Sequence, residues 1–365
     1  MSQIAIDVRM VHHSGIGRYI SGTINALSKF KHTQWKCALI GYDGNQSGFP
    51  KDFDYIKTSA PVYSFSEQVA IPILARSFDC LHSPHYNAPI LNLKKLVVTI
   101  HDLIHLRFLD YLPSKAALLY AKTVLPMVCQ RADAIIAVSY HTKSDLVQML
   151  RIDPRKITVI HHGIDSSFIN REGTSTDRER SGPPYFLYVG LLKAHKNLGV
   201  LLKAFQNLKR KLEKESLKLE IIGTPDTKQP IVREWMNQIK DDSSISLRSN
   251  ISDNELKKLY RNAIALVHPS LYEGFGFPLL EAMASKTPII ASHTASIPEV
   301  LGEDGALYFD PKSASELEHG LDQMLSSEAL RHKLAEAGER RLPLFDWSVA
   351  AQQTVQVYES VLGKN

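Results

Sequence analysis

Two glutamates flank a short glycine-rich turn in an otherwise apolar part of the chain. The segment SLYEGFGFPLLEAMA runs from Ser270 to Ala284 and places Glu273 before Gly274-Phe275-Gly276 and Glu281 after it. Burying a carboxylate costs free energy unless a partner compensates it, so this pair favours a polar ligand. Glu281 can accept hydrogen bonds from two neighbouring ribose hydroxyls, and Glu273 can bind sugar hydroxyls or stabilise positive charge at an anomeric carbon.

The turn between the two glutamates suits an anionic ligand. Gly274 and Gly276 let backbone amides approach a ligand closely, and Pro278 marks the first turn of a helix whose partial positive charge favours a phosphate. The alternative for Glu281 is a first-turn helix carboxylate favoured by the helix dipole, and the alternative for Glu273 is a solvated turn residue. Neither alternative accounts for both glutamates.

A second glycine turn lies near the start of the chain. HHSGIGRYI follows the first predicted strand and opens the first predicted helix, so the amides at Gly15 and Gly17 can approach a phosphate, with Arg18 nearby. The turn lacks the last glycine of the GxGxxG fingerprint, which disfavours a nicotinamide-dependent oxidoreductase. The alternative is a plain strand-to-helix turn.

Basic and titratable side chains follow two more predicted strands. His101 with Asp102 ends the strand KLVVTIHD, where its imidazole can bind a substrate hydroxyl; a structural histidine is the alternative. Lys193, His195 and Lys196 follow the strand PYFLYVG, and a lysine there can offset charge on a departing diphosphate. A surface lysine cluster is the competing interpretation.

Three patterns resemble metal sites, and none is complete. Asp52-Phe53-Asp54 matches the DxD of metal-dependent sugar transferases but lies in a loop-like region after Gly-Phe-Pro-Lys. The pairs His82/His85 and His101/His105 have zinc-like spacing, but no cysteine completes either set. We therefore predict no metal and no other cofactor.

Length and composition favour a two-domain globular protein. The chain has 365 residues, beyond the size of about 250–300 residues at which one hydrophobic core stops growing. Its net charge of +5 is compatible with anionic partners. The three separated cysteines indicate reduced thiols, and no signal peptide or membrane-spanning run is evident, which predicts a cytoplasmic protein.

Short β-branched runs alternate with amphipathic stretches, which predicts parallel sheets covered by helices in two doubly wound α/β domains. An N-terminal domain is expected over 1–170, a linker over 171–184 because of its polar, Pro-ended composition, and a C-terminal domain over 185–345. Ligands in such sheets bind at the carboxyl ends of the strands. The last helix, within 346–365, is expected to pack back on the N-terminal domain.

Together these residues resemble the retaining glycosyltransferase family 4, whose GT-B fold has two Rossmann-like domains facing a central cleft. The resemblance extends to bacterial mannosyltransferases that build polysaccharides and covers nearly the whole chain. It rests on GIGRY, the HD at 101–102, the YVG strand with Lys196-Asn197, the helix Ser252–Tyr260, HPSLYEGFGFPLLEAMA and IPEV. The resemblance implies an acceptor-binding N-terminal domain and a C-terminal domain that binds a nucleotide-sugar donor.

The resemblance also implies roles for residues of the C-terminal domain. Glu281 would hold the nucleotide ribose, Glu273 would contact the donor sugar, and the amides of 274–276 would meet the sugar and the diphosphate. Lys196 would take the place of the family lysine at the diphosphate. Many members carry an arginine just after the glycine of this strand, where this chain has Leu191.

In the N-terminal domain, the resemblance implies that Gly15 and Gly17 form the glycine loop and that His101 lies beside the transferred sugar. Arg18, Lys193 or His195 are candidates to compensate for the absent arginine.

The function expected from the resemblance is metal-independent transfer of a sugar, with retention, to a saccharide or lipid-linked saccharide acceptor in polysaccharide synthesis of the O-antigen type. The resemblance favours mannose from GDP-mannose, and a UDP-sugar donor or a catalytically silent sugar-nucleotide-binding protein remain alternatives. A basic helix over 114–131 suggests peripheral contact with an anionic membrane, although packing within the domain also explains its apolar face. No nucleic-acid partner is expected, since no basic stripe carries interleaved aromatic residues.

Overall fold

The computed structural model divides the chain into two compact units, each built on its own parallel sheet. Unit 1 comprises Met1–Gly163 and Phe345–Asn365, and unit 2 comprises Ile164–Leu344. The residues that the structure describes are 2–30, 35–91, 94–109, 115–165, 168–169, 182–212 and 216–363. Residues 171–181 of the predicted linker and Ser114 of the predicted helix lie outside them. The prediction of doubly wound α/β architecture is confirmed.

Unit 1 contains a seven-stranded sheet among its described residues, with the order β3-β2-β1-β4-β5-β6-β7. Every pair of neighbouring strands is parallel. The strands are β1 Ser2–Asp7, β2 Trp35–Gly41, β3 Asp54–Lys57, β4 Cys80–Ser83, β5 Lys95–Ile100, β6 Ala134–Ala137 and β7 Ile157–Val159. The first helices are α1 Ser14–Leu27, α2 Glu67–Ala75, α3 Ile104–Arg107, α4 Lys115–Arg131 and α5 Tyr140–Leu150.

Helices cover both faces of this sheet because alternate strand residues point to opposite sides. Val97 of β5 packs in one core with α1 and the C-terminal helix α13, Trp347–Val361. Its neighbour Val98 packs in the other core with α2, α4 and α5. Trp347 lies so close to Gly22 of α1 and to Gly163 that a side chain at either glycine would overlap its ring.

Unit 2 contains a six-stranded parallel sheet within its described ranges, ordered β10-β9-β8-β11-β12-β13. The strands are β8 Tyr185–Val189, β9 Lys218–Ile222, β10 Ile245–Arg248, β11 Leu266–His268, β12 Ile289–Ser292 and β13 Leu307–Phe309. The helices are α6 Leu198–Leu212, α7 Pro230–Asp241, α8 Asp253–Asn262, α9 Phe277–Ala284, α10 Ile297–Leu301, α11 Ala314–Ser326 and α12 Glu328–Arg341. Ser252 caps α8 by accepting a hydrogen bond from the Glu255 amide at 3.2 Å.

In each sheet the strand order reverses direction at one point, and a crevice suited to ligands opens there at the carboxyl ends of the strands. This switch point lies between β1 and β4 in unit 1 and between β8 and β11 in unit 2. The loops that follow these four strands are therefore the first places to look for a site.

Two strands are absent from the sequence-based prediction, and one of them changes the account of the DxD pattern. β3 begins at Asp54, so the region predicted to be loop-like contains an edge strand. Asp54 and Lys57, at its ends, are exposed. Edge strands are often short and charged, which masks the alternation that identifies a strand. The strand β13, which is only three residues long, is also absent from the sequence-based prediction.

Among the described residues, no helix combines the length and apolar character needed to cross a membrane.

Candidate functional site

The glycine turn after β11 is shaped by a backbone conformation that few residues adopt. Gly276 precedes α9 with φ 103°, a left-handed value at which a side chain would be strained. Pro278 occupies the first turn of α9, where its missing N–H costs no helical hydrogen bond. The sequence therefore ends β11 in a tight turn and starts α9 at once, with Gly274 and Phe275 buried in the turn.

Glu273 is buried and its Oε1 atom is surrounded by donors. Lys196 Nζ lies 2.6 Å from Oε1 and Ser270 Oγ donates to the same atom at 2.6 Å. His268 Nε2 is 3.0 Å from it. The backbone carbonyl of Glu273 accepts a hydrogen bond from Ser296 Oγ at 2.9 Å. The side chain is thus fixed from three sides, and the solvated-turn alternative is wrong for this residue.

Electrostatics keep the Glu273 carboxylate ionised. Burial by itself would raise its pKa, but the charge and hydrogen bond of Lys196, together with His268, hold the pKa well below its usual range. Buried ion pairs need such additional hydrogen bonds to offset desolvation. The result is a charged carboxylate next to a half-buried ammonium group.

Lys196 reaches Glu273 because two loops are tied together across the switch point of unit 2. Asn197 adopts a left-handed conformation with φ 57°, and its side-chain amide donates to the carbonyls of Pro269 and Pro311 at 3.1 and 2.8 Å. The Leu271 amide donates to the His195 carbonyl at 2.8 Å. The loop after β8 is therefore anchored to the loop after β11, which brings together two predicted site residues 77 positions apart.

The position after the β8 glycine is occupied by an exposed apolar side chain. Leu191 is 37% exposed and follows Gly190, whose carbonyl would overlap any side chain at Gly223. Glycine at 223 thus lets the ends of β8 and β9 approach closely. Lys193 and His195 are both half-buried in the same loop as Lys196. They remain candidates to compensate for the absent arginine.

Glu281 lies on α9 and is 1% exposed. Its Oε2 atom accepts a hydrogen bond from the hydroxyl of Tyr260, a fully buried residue of α8, at 2.8 Å. It is the fifth residue of α9, so the alternative of a first-turn helix carboxylate is wrong. Both glutamates of the opening segment are therefore buried polar groups on the strand–turn–helix unit that follows the switch point.

The two N-terminal glycines lie inside α1 in unit 1. Gly15 is exposed in the first turn of the helix. Gly17 is buried, its amide donates to the His13 carbonyl at 2.5 Å, and a side chain there would overlap the Val11 carbonyl. Close packing is thus one reason for glycine at position 17. Contact of either glycine with a donor remains a prediction.

His101 follows β5 and belongs to unit 1. Its Nε2 atom lies 2.8 Å from the Pro84 carbonyl, so it must carry the proton and donate. Burial lowers the pKa of His101. The neutral ring then presents Nδ1 as an acceptor, which is suited to a substrate hydroxyl. The Tyr19 ring of α1 meets His101 edge-on at 5.0 Å between centroids.

The histidine pairs that resemble zinc sites have other partners. His82 bonds Tyr358 through Nδ1 at 2.6 Å and Thr99 through Nε2 at 2.9 Å. Burial lowers the pKa of His82 to about 3. Across the described ranges of the chain, no group of three or more His, Cys, Asp or Glu side chains is arranged to hold a metal. Metal independence itself remains a prediction.

Sequence reasoning missed three residues that support the two glutamates: His268 and Ser270 beside Glu273, and Tyr260 beside Glu281. His268 and Ser270 belong to HPSLYEG: His268 ends β11 and Ser270 lies three residues before Glu273, so their position was a usable signal. Tyr260 lies 21 residues from Glu281, and only the packing of α8 on α9 connects them.

Two family profiles match successive parts of the chain. The profile described as Glycosyltransferase Family 4 matches residues 14–168, and the one described as Glycosyl transferases group 1 matches residues 174–341. The chain is 32% identical over 253 residues to the O-antigen chain mannosyltransferase RfbU of Salmonella typhimurium, covering 68% of this chain and 66% of that protein. It is 26% identical over 283 residues to the O-antigen chain mannosyltransferase B of Escherichia coli, covering 76% and 73%.

Solved structures agree on the fold. The sucrose-phosphate synthase from Thermosynechococcus elongatus superposes with a TM-score of 0.79 at 18% identity, over 100% of both chains. A likeness at this identity establishes the two-domain GT-B architecture and nothing about substrates.

Proposed function

The chain belongs to the family 4 glycosyltransferases, and on that basis we propose that it is a retaining α-mannosyltransferase that uses GDP-mannose. Its acceptor is a saccharide or lipid-linked saccharide in cell-surface polysaccharide synthesis of the O-antigen type. The names of two mannosyltransferases that are similar in sequence support the choice of mannose. The same names support the O-antigen class of product.

The observation that carries this proposal is the convergence of Lys196, Ser270 and His268 on Glu273 at the switch point of unit 2. All three meet Oε1, so Oε2 is the oxygen of this carboxylate that we assign to a donor-sugar hydroxyl. The ammonium of Lys196 is held at the same point, where it can neutralise charge on the diphosphate. A fixed carboxylate beside a fixed cation is suited to a neutral sugar joined to an anionic leaving group.

The nucleotide half of the donor is assigned to the turn and helix that follow. The amides of 274–276 and the N-terminus of α9 favour the diphosphate oxygens. Glu281, oriented by Tyr260, is assigned to the two ribose hydroxyls. A rigid helix supports this carboxylate, so its geometry is set before the ligand arrives.

We assign retention to attack on the face from which the diphosphate departs. The acceptor oxygen forms a bond to the anomeric carbon while the bond to the diphosphate oxygen breaks, and the acceptor proton passes to that departing oxygen. Lys196 offsets the negative charge on the leaving group. Glu273 already interacts with three donors, which makes its carboxylate a poor nucleophile. The proposed mechanism therefore has no covalent glycosyl-enzyme intermediate. Trapping a glycosyl adduct on the protein would overturn this assignment.

A nucleotide panel tests the donor. GDP at about 100 times its dissociation constant should stabilise the protein by about 2.7 kcal/mol, a rise of several degrees in melting temperature, while UDP and ADP have smaller effects. GDP-mannose should then be hydrolysed or transferred, and Glu273→Ala should lose that turnover. A larger shift with UDP would favour the UDP-sugar alternative. Nucleotide binding without turnover would favour the catalytically silent alternative, which Leu191 in place of the family arginine also permits.

We place this activity in the cytoplasm, with peripheral contact at the inner face of the membrane when the acceptor is lipid-linked. The outward side of α4 supports membrane contact through Leu119, which is 64% exposed, Met127, which is 50% exposed, and Lys122. The opposite side of α4 packs in the core of unit 1. Sedimentation with anionic liposomes tests the contact, and wild-type protein that stays in the supernatant would remove it.

A further inference from the structure

A cluster of aromatic rings borders the carboxyl edge of the unit 1 sheet and has no role in the function proposed above. It consists of Tyr63, His85, Tyr86 and Tyr120, hereafter the tyrosine cluster. The centroid of the Tyr63 ring lies 5.6 Å from that of Tyr120 and 6.0 Å from that of His85, and both contacts are edge-on. The centroid of the Tyr86 ring is 6.1 Å away. His85 and Tyr86 lie two and three residues after the end of β4, one of the two strands at the switch point. The cluster therefore lies where ligands bind in such sheets.

The cluster continues into the predicted site of unit 1. The rings of His85 and His101 are nearly parallel, with their centroids 6.1 Å apart. A ligand placed at the cluster would therefore lie close to the histidine predicted to face the transferred sugar.

Tyr63 is held in an unfavourable backbone conformation. Its φ is 59°, in the left-handed region that bulky residues rarely adopt. Such strain persists only where surrounding contacts impose it, and it concentrates at functional positions. Three neighbouring rings hold the side chain, yet it remains 42% exposed. An exposed tyrosine fixed in this way is a rigid surface ready to receive a ligand.

The cluster presents neutral groups at its surface. Beneath it, the fully buried Glu67 accepts hydrogen bonds from Arg9 at 3.0 Å and from Tyr120 at 3.5 Å. Arg9 is also bonded to Asp7, so one cation is shared between two buried carboxylates and leaves no excess positive charge beneath the cluster. The Tyr63 hydroxyl lies 3.4 Å from His85 Nδ1. An exposed, uncharged Tyr63 ring backed by the buried His85 imidazole suits a neutral, hydroxyl-rich ligand better than a phosphate.

We propose that the tyrosine cluster binds a sugar ring of the acceptor, with Tyr63 as the stacking surface. The apolar face of the sugar packs on the exposed Tyr63 ring, and the tyrosine hydroxyl bonds a sugar hydroxyl. This inference rests on the proposed glycosyl transfer, because that reaction supplies the saccharide acceptor. The inference assigns acceptor binding to residues of unit 1, in addition to the donor-binding residues assigned in unit 2.

Kinetics with the full-length protein test the inference. Tyr63→Asn removes the ring while asparagine tolerates the left-handed backbone, so folding should be kept. With GDP-mannose as donor and the methyl α-glycosides of mannose, glucose, galactose and N-acetylglucosamine as acceptor probes, Tyr63→Asn should raise the acceptor KM about tenfold and change the donor KM less than twofold. Tyr63→Phe, which keeps the ring, should stay within about threefold of wild type.

Phe65→Ala is the matched control, because Phe65 is two residues away and 96% exposed. It should leave both KM values unchanged. An unaltered acceptor KM in Tyr63→Asn, with turnover intact, would overturn the inference. Absence of all donor turnover in the wild type would instead count against the proposed function.

Direct binding separates these two failures. Saturation-transfer NMR with the same methyl glycosides needs no donor and no turnover. Signal from at least one glycoside in the wild type and Phe65→Ala, lost in Tyr63→Asn, supports the subsite even without catalysis. No signal in the wild type, or equal signal in Tyr63→Asn, overturns it.

Discussion

The carboxyl-terminal edges of the two sheets differ in electrical character. In unit 1, His85, His101 and His162 follow three strands, and burial lowers the pKa of each, so these rings are neutral. In unit 2, the corresponding edge holds the ionised pair of Lys196 and Glu273 at 2.6 Å. Both edges belong to parallel sheets with a switch point at the middle of the strand order.

This contrast shows how one architecture can serve two different ligands. Strand order fixes where the loops meet, and the side chains on those loops decide what binds. The neutral imidazoles at the edge of unit 1 suit hydroxyl groups, with which they can exchange hydrogen bonds. The charged edge of unit 2 suits a diphosphate, whose departure requires a cation.

The largest expected effect tests the charged edge. Lys196→Ala should lower kcat about 10²–10³-fold, the usual cost of removing one group that stabilises charge in the transition state. The measurement is initial rate with GDP-mannose at saturating donor. Lys203→Ala, an exposed lysine of the neighbouring helix α6, is the control and should keep wild-type kcat. Near-normal turnover in Lys196→Ala would defeat the assignment of the diphosphate to this edge.

A smaller effect is expected from the residue that orients Glu281. Tyr260→Phe removes the 2.8 Å hydrogen bond to Oε2 while the ring continues to fill the core. Removing the hydrogen bond to a buried acceptor costs about 1–3 kcal/mol, so the donor KM should rise about tenfold. The acceptor KM should change little, as measured by varying each substrate separately. An equal rise in both constants would indicate general damage rather than lost positioning.

The two edges should also respond differently to acid. The folded pKa values of His82, His85, His101 and His162 lie below the unfolded value of about 6.5, so the unfolded state binds more protons below that pH. These four neutral histidines therefore contribute to the free energy of unfolding of unit 1 above about pH 6.5. The contribution is lost as the pH falls towards their pKa values in the folded state. The depressed pKa of Glu273 contributes stability above about pH 4.3, which is lost only at lower pH.

Hydrogen exchange between pH 7 and pH 4.5 checks this order. Peptides from β4 and β5 should lose protection first, and peptides from β8 and β9 should keep it longer. Earlier loss in the unit 2 peptides would show that other groups dominate the acid response.

The smallest expected effect concerns metal removal. If Lys196 and the backbone amides supply the positive potential at the diphosphate, excess EDTA should leave kcat within about twofold of its untreated value. Added Mg²⁺ or Mn²⁺ should likewise have little effect. Activity that disappears with EDTA and returns with a divalent ion would replace the lysine-based account with a metal-based one.

Much of the fold was predictable because long apolar runs and their spacing identify parallel strands. The predicted strand KLVVTIHD contains β5, PYFLYVG contains β8, and the helix predicted over 114–131 contains α4. The short strands β3 and β13 were not predictable, since three or four residues carry too little pattern and pairing partners decide them.

For the candidate site, sequence alone singled out Glu273, Glu281 and Lys196, because glycine turns after strands mark loops that can approach a ligand. Only tertiary structure decided that Lys196 contacts Glu273 and that Tyr260 orients Glu281. Those contacts depend on strand order and helix packing, which join residues that local chemistry cannot connect. The neutral state of the unit 1 histidines was likewise decided by burial, a property of the folded chain as a whole.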